Sequence, residues 1–207
     1  MKKYLPIVLF WGAVWGICEA TAGYALHLAA VALPGLPGAL MFPMGFWCMH
    51  RAQKGTGKAI APLHIAMVAA AVKLVDFLMP GYDAIRVVNP ALSILLEGLA
   101  VAAVYALQSS PAKVPGYSQV LGMGALWRVM FAEYLYLISL FGLPAALVTS
   151  GAVTLLRFVV FESIVNSLII HVGLWLAPRL PARKGWDIGP AAAWTACLVA
   201  VGLQVLL

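Results

Sequence analysis

Glu19, Asp76, Glu97, Glu133 and Glu162, five of the seven acidic residues, fall inside long apolar runs, together with Lys73, Arg128 and Arg157. A charge in such surroundings is costly. It is kept where it pairs with an opposite charge, faces a wet cavity, or handles a proton or a ligand. Spacing sorts these groups. Lys73 and Asp76 are three residues apart, which puts them on one face of a helix and within reach of each other. Arg128 and Glu133 are five apart, as are Arg157 and Glu162. About 140° of α-helix then separates the members of each couple, so neither arginine reaches its own glutamate. The short Phe141-Gly142-Leu143-Pro144 connection makes the two helices antiparallel neighbours. Cross pairs of Arg128 with Glu162 and of Arg157 with Glu133 are therefore expected as structural ion pairs.

Three bases on three acids leave Glu19 and Glu97 without a cation, which makes them the candidate ligand-binding or proton-carrying groups. A buried carboxylate beside an aromatic ring suits a cationic or zwitterionic ligand, and Trp15, one turn before Glu19, supplies such a ring. Tyr24 and Tyr136 are further candidates, and Lys73 with Asp76 would form a polar gate or a structural pair. The plainer alternative is that each acid is protonated or bonded to a neighbouring helix. Other ligand chemistries are thinly represented. His64 and His171 are the one histidine couple that could share a depth and hold a haem, with His27 and His50 nearer the ends of their spans. Met41, Met44 and Cys48 offer soft ligands of the kind Cu(I) takes, although methionine and buried cysteine are ordinary packing residues. No metal site is assigned on these grounds, and the cofactor stays open. The Lys54–Lys58 stretch KGTGK is too short for a phosphate-binding loop. No catalytic Ser/His/Asp or Cys/His set occurs at a common depth.

The elements that must position these groups follow from composition. Of 207 residues 64% are hydrophobic and 10% are charged, against roughly a quarter charged in a soluble domain. The bilayer is the matching solvent, and about 20 apolar residues cross its roughly 30 Å core. The fold expected is all-α: a single polytopic membrane helix bundle over residues 1–207. It has about seven transmembrane helices, near 4–31, 37–50, 59–79, 89–107, 119–142, 147–177 and 190–207. The second is short and carries Pro43, and six spans result if it is re-entrant. So little chain remains for loops that no soluble catalytic domain fits, and enzymatic function is not expected.

Basic residues set the orientation. With Lys2 and Lys3 inside, alternate loops place Arg51, Lys54, Lys58, Lys113, Arg179, Arg183 and Lys184 inside and only Arg86 outside, giving a cytoplasmic N-terminus in a bacterial-type inner membrane. This topology accounts for the net charge of +6 without nucleic acid. The first segment imitates a signal peptide ending at Ala20-Thr21-Ala22, but Glu19 immediately before that site opposes cleavage, so it is read as a span. Cys18, Cys48 and Cys197 all lie in apolar runs and form no disulfide framework.

Gly12, Gly16 and Ala20 repeat a small residue every fourth position along the first span, which permits close approach of another helix. A small, nearly loop-free bundle with such a first helix and a polar outer half resembles the substrate-binding S components of energy-coupling-factor transporters. The resemblance implies that Gly12, Gly16 and Ala20 form a docking face for membrane coupling subunits and that a vitamin or metal ligand binds near the outer surface. Three classes of function follow. The first is a transport protein binding a small cationic or zwitterionic solute in the outer half of the bundle, driven by a partner or an ion gradient. The others are a redox or enzymatic subunit holding haem, metal or quinone, and a structural or assembly subunit of a membrane complex.

Overall fold

The computed structural model describes residues 4–23, 25–26, 36–79, 83–108, 113–177 and 188–206. Lys2, Lys3, Tyr24, His27, Arg179, Arg183 and Lys184 lie outside the described residues, so the topological roles expected of them do too. The described residues are helical and contain no strand.

Helix α1 runs Tyr4–Cys18 and continues through a π-helical turn, Glu19–Gly23. Helix α2 covers Leu36–Thr56, with Pro43 inside it. It outlasts the expected end at residue 50 because Arg51, Ala52, Gln53 and Lys54 are good helix formers able to carry it out of an apolar layer. Gly57 stops it at φ 67°, its N–H reaching Gln53 O at 2.8 Å. Helix α3, Ala61–Lys73, starts with Pro62 in the first turn and tightens into a 3₁₀ segment, Leu74–Leu78. Helix α4 is Ala84–Ala106, beginning ahead of the expected residue 89 and holding Pro90 in its interior.

Helix α5 is Tyr117–Ser139, its start secured by the Gln119 side chain, which accepts the Gly116 N–H at 2.9 Å. The span expected to begin at 147 is broken instead. A short helix α6, Ala146–Thr149, ends before Gly151, whose φ of 99° only glycine adopts without strain. Helix α7 follows over Ala152–Leu176, with a π-helical turn at Arg157–Phe161, and α8 is Pro190–Leu206.

Among the described residues five helices are long and apolar enough to cross a membrane: Tyr4–Gly23, Ala61–Leu78, Ala84–Ala106, Tyr117–Ser139 and Ala152–Leu176. That is the composition of a multi-pass integral membrane protein. The two remaining expected spans fall short for different reasons. α2 spends its last turns on polar residues, and α8 is only 17 residues long.

Contacts run in a closed cycle from α1 to α3, α4, α5, α7, α2 and back to α1, while α8 lies against α1 and the end of α3. Trp15, Phe42, Phe46, Met49, Ile65, Val101, Tyr105 and Met123 fill the interior. The outer faces are apolar as well: Val153, Leu156 and Phe161 on α7 and Leu198 on α8 are exposed, which is what contact with lipid tails requires.

Candidate functional site

Glu19 and Glu97, far apart in sequence, line the same cavity of about 290 Å³. Successive helices run in opposite directions, and the wall residues come from the end of α1, the start of α2, the first half of α4, the second half of α5 and the start of α7. The cavity therefore sits toward the end of the bundle away from Tyr4. Asn89, Ser93 and the two glutamates supply its polar atoms, and Phe42, Trp127, Phe131 and Phe158 supply its aromatic walls. Among the described residues no lysine or arginine lines the wall.

Each glutamate is held by the residue one turn before it. Trp15 Nε1 donates to Glu19 Oε1 at 3.1 Å, and Ser93 Oγ donates to Glu97 Oε1 at 3.4 Å. Glycines make these positions possible. A Cβ on Gly45 of α2 would stand 2.6 Å from the Trp15 ring, so only glycine lets the indole lie flat against α2. Next to Glu97, a Cβ on Gly98 would meet the Ala66 Cβ at 2.3 Å, and α3 and α4 close on each other there. Tyr134 OH donates to Asn89 Oδ1 at 2.9 Å, orienting that amide at the cavity wall.

Two polar atoms of the wall are left over. Glu97 is 5% exposed, yet its Oε2 has no hydrogen-bond partner among the described residues. The same holds for the indole Nε1 of Trp127, a residue 4% exposed. Groups buried in this way are normally satisfied; both atoms are sealed from water and have no partner among the described residues.

Behind the aromatic wall lies Arg128, fully buried. Its guanidinium carbon is 4.4 Å from the Trp127 ring centroid, 5.3 Å from that of Phe158 and 5.9 Å from that of Phe42. Nη2 lies 3.7 Å from Glu162 and donates to Asn166 Oδ1; Nη1 donates to Gly124 O at 3.1 Å and Ser163 Oγ at 3.4 Å. Asn166 in turn donates to Ala39 O on α2 at 2.7 Å. The charge of Arg128 also reaches Glu97.

The other expected site residues are arranged differently. Arg157 and Glu133 are both exposed and line separate surface grooves, and the charge of Arg157 acts on Glu162. The reason is the π-helical turn. There the Glu162 N–H bonds to Arg157 O, five residues back, so the 140° rule for an α-helix no longer separates these two positions. Lys73 Nζ is 2.8 Å from Asp76 Oδ2, but the pair lies outside the cavity wall, with Gln204 Nε2 of α8 donating to Asp76 Oδ1 at 2.5 Å. Its place is at the α3–α8 contact and not at a gate. Trp15 does not line the cavity; it stands behind Glu19 and positions it.

The small-residue face is also occupied. A Cβ on Gly12 would meet Val68 at 2.5 Å and one on Gly16 would meet Val72 at 3.1 Å, and Ala20 is buried. Gly12 and Gly16 seat the chain's own α3 and are not free to receive a coupling subunit. The histidines are engaged locally. His64 Nδ1 and Tyr4 OH share a hydrogen bond of 2.6 Å, His50 Nδ1 and Tyr105 OH another of 2.6 Å, and His171 meets the Tyr117 ring edge-on. Among the described residues no group of three His, Cys, Asp or Glu is placed to hold a metal.

Sequence reasoning missed Ser93, Asn89, Trp127 and Phe158 as wall residues, Asn166 and Ser163 as partners of Arg128, and Gln204. The i to i+4 spacing of Ser93 and Glu97 was a readable signal. Comparison with family models, with curated proteins and with solved structures gives no match, so the geometry alone carries the functional reading.

Proposed function

We propose that this chain is a membrane transport protein that binds a small cationic or zwitterionic solute between Glu19 and Glu97. One observation carries the reading: two carboxyl groups from different apolar helices share a cavity whose wall, among the described residues, contains no basic side chain. A cavity of about 290 Å³ holds about ten water molecules, or a solute of comparable bulk. Nearby bases are committed elsewhere, Arg128 to Glu162 and Asn166, and Lys73 to Asp76. Two carboxyl groups on one cavity wall suit a solute that brings positive charge. The alternating basic loops favour a cytoplasmic N-terminus, which would put the cavity toward the opposite surface of an inner membrane. With Gly12 and Gly16 covered by α3, membership of a coupling-factor transporter loses the face on which it rested, and the energy source is left to a partner or an ion gradient.

Native mass spectrometry of the gently purified protein should release a small cation or zwitterion. Uptake should be abolished in Glu19→Gln and in Glu97→Gln, with melting temperatures within a few degrees of the parent. Normal uptake in both variants would overturn the proposal.

A further inference from the structure

The two carboxyl groups of the cavity stand in unlike surroundings, and the difference names the ion that leaves when the solute arrives. We infer that Glu97 is an un-ionised carboxylic acid in the empty protein, that Glu19 is the standing anion, and that entry of the solute expels the Glu97 proton, so that the protein exchanges its solute for a proton. The inference rests on the proposed binding of a cationic or zwitterionic solute in this cavity and identifies the ion gradient that drives it.

Glu97 sits two residues past Leu95, the midpoint of α4, where a membrane-spanning helix is farthest from water and a bare charge is most costly. Its Oε2 is sealed and has no donor among the described residues, and its Oε1 accepts a long bond from Ser93 Oγ, at 3.4 Å. A carboxylate in such a place needs donors to replace its water, and leaving a charged acceptor unpaired costs more than leaving a neutral one. The un-ionised acid fits the same surroundings. Its O–H can turn the Ser93 bond around and donate to Oγ, and Oε2 is then a neutral carbonyl oxygen. The charge of Arg128 reaches Glu97, but the guanidinium donates to Asn166, Ser163 and Gly124 O and pairs with Glu162, so it supplies no donor to Oε2.

Glu19 is provided for differently. It is half-buried at the end of α1, accepts the Trp15 indole N–H at 3.1 Å and lies in the field of Lys73. The two carboxyl groups also feel each other's charge, so one anion in the cavity opposes a second. The other titratable groups around them are the thiol of Cys18 beside Glu19, that of Cys48 on α2, Asp76 paired with Lys73, and Glu162 on α7 behind Arg128.

An arriving positive group removes that opposition and lets the second carboxyl ionise. The Glu97 O–H bond breaks, its electron pair stays on the carboxylate, and the proton leaves through the cavity to water. For a cation, one positive charge enters as one departs.

The experiment uses the full chain in lipid nanodiscs at neutral pH. The infrared difference between the parent and Glu97→Gln should contain the C=O stretch of a carboxylic acid, and that between the parent and Glu19→Gln the stretches of a carboxylate. The parent is then titrated by calorimetry with ammonium, ethylammonium, guanidinium and glycine betaine, each in two buffers of different protonation enthalpy. About one proton should be released per solute bound, and affinity should fall about tenfold for each unit by which the pH is lowered. The calorimetry needs no substitution, so it decides the matter even if a variant fails to fold. An ionised Glu97 in the infrared difference, or binding with neither proton release nor pH dependence, would overturn this inference and leave the proposed function standing. Failure of every probe to bind would overturn the exchange together with the proposed function.

Discussion

Trp15 and Gly45 are matched across the α1–α2 contact: the indole lies where a single added methyl group on residue 45 would come within 2.6 Å of it. The same indole donates to Glu19, so a packing relationship between two helices fixes the direction of a carboxyl group. Gly45→Ala should cost about 1–3 kcal/mol by overpacking, lower the melting temperature, and weaken solute binding through the displaced Glu19. Trp15→Phe keeps the ring and loses the N–H, and should cost about 1 kcal/mol. Thermal melts of the two variants in one detergent check the order, which would be reversed if Gly45 were an incidental neighbour.

Arg128 holds α5 to α7 and, through Asn166, to α2. Replacing it with methionine leaves Glu162 and Asn166 facing a buried hole, and should destabilise the protein by about 3–5 kcal/mol. Glu162 is only partly buried, so Glu162→Gln should cost less. The double variant Arg128→Met with Glu162→Gln should be more stable than Arg128→Met alone, because the stranded carboxylate is gone. Unfolding titrations in mixed micelles measure all three, and strict additivity would show that the two side chains are not coupled.

The outermost helix has its own polar anchor. Gln204→Leu removes the donor from Asp76 Oδ1 and leaves Lys73 as its remaining partner among the described residues. The loss should be local. Amide exchange in α8 should speed up by about tenfold, corresponding to about 1.4 kcal/mol, while α5 and α7 exchange as before. Equal acceleration throughout the bundle would mean that α8 unfolds only with the whole.

The alternation of helices puts the end of α2 and the start of α5 at one end of the bundle and the turn after α5 at the other. Lys54→Cys and Lys113→Cys should therefore react with a membrane-impermeant maleimide from one side, the cytoplasmic one in the proposed orientation, and Leu143→Cys from the opposite side. Labelling of residues 54 and 113 from different sides would break this arrangement.

Membrane residence and an all-helical fold could be read from the sequence because hydrophobic length is a local property, whereas five of the seven expected spans have the length and apolarity to cross among the described residues. So could the Lys73–Asp76 pairing, which needs only helical spacing, and the placing of Arg128 level with Glu162, which adds one short connection. Helix ends were less readable. The extension of α2 to Thr56 and the break at Gly151 depend on where polar helix formers continue and where one glycine takes a positive φ. The effect of Arg157 on Glu162 was not legible because a π-helical turn changes the angular bookkeeping, and no residue type announces such a turn. The cavity wall was legible only in part. Charge accounting singled out Glu19 and Glu97, but the rings and amides around them are brought in by helix packing, which depends on which glycine meets which bulky side chain.

The packing beneath the cavity has a consequence for any solute that enters. From Glu97 the buried face of α4 continues through Val101 to Tyr105, about 12 Å along the helix axis, and the space at that level is taken by Phe46, Met49 and Met123. The protein is built like a cup with a thick floor. On the proposed transport reading, a molecule resting against Glu97 would find no passage to the Tyr4 end among the described residues until the helices separated, so the rate of crossing would be set by how often that floor opens and not by how tightly the cup holds its contents.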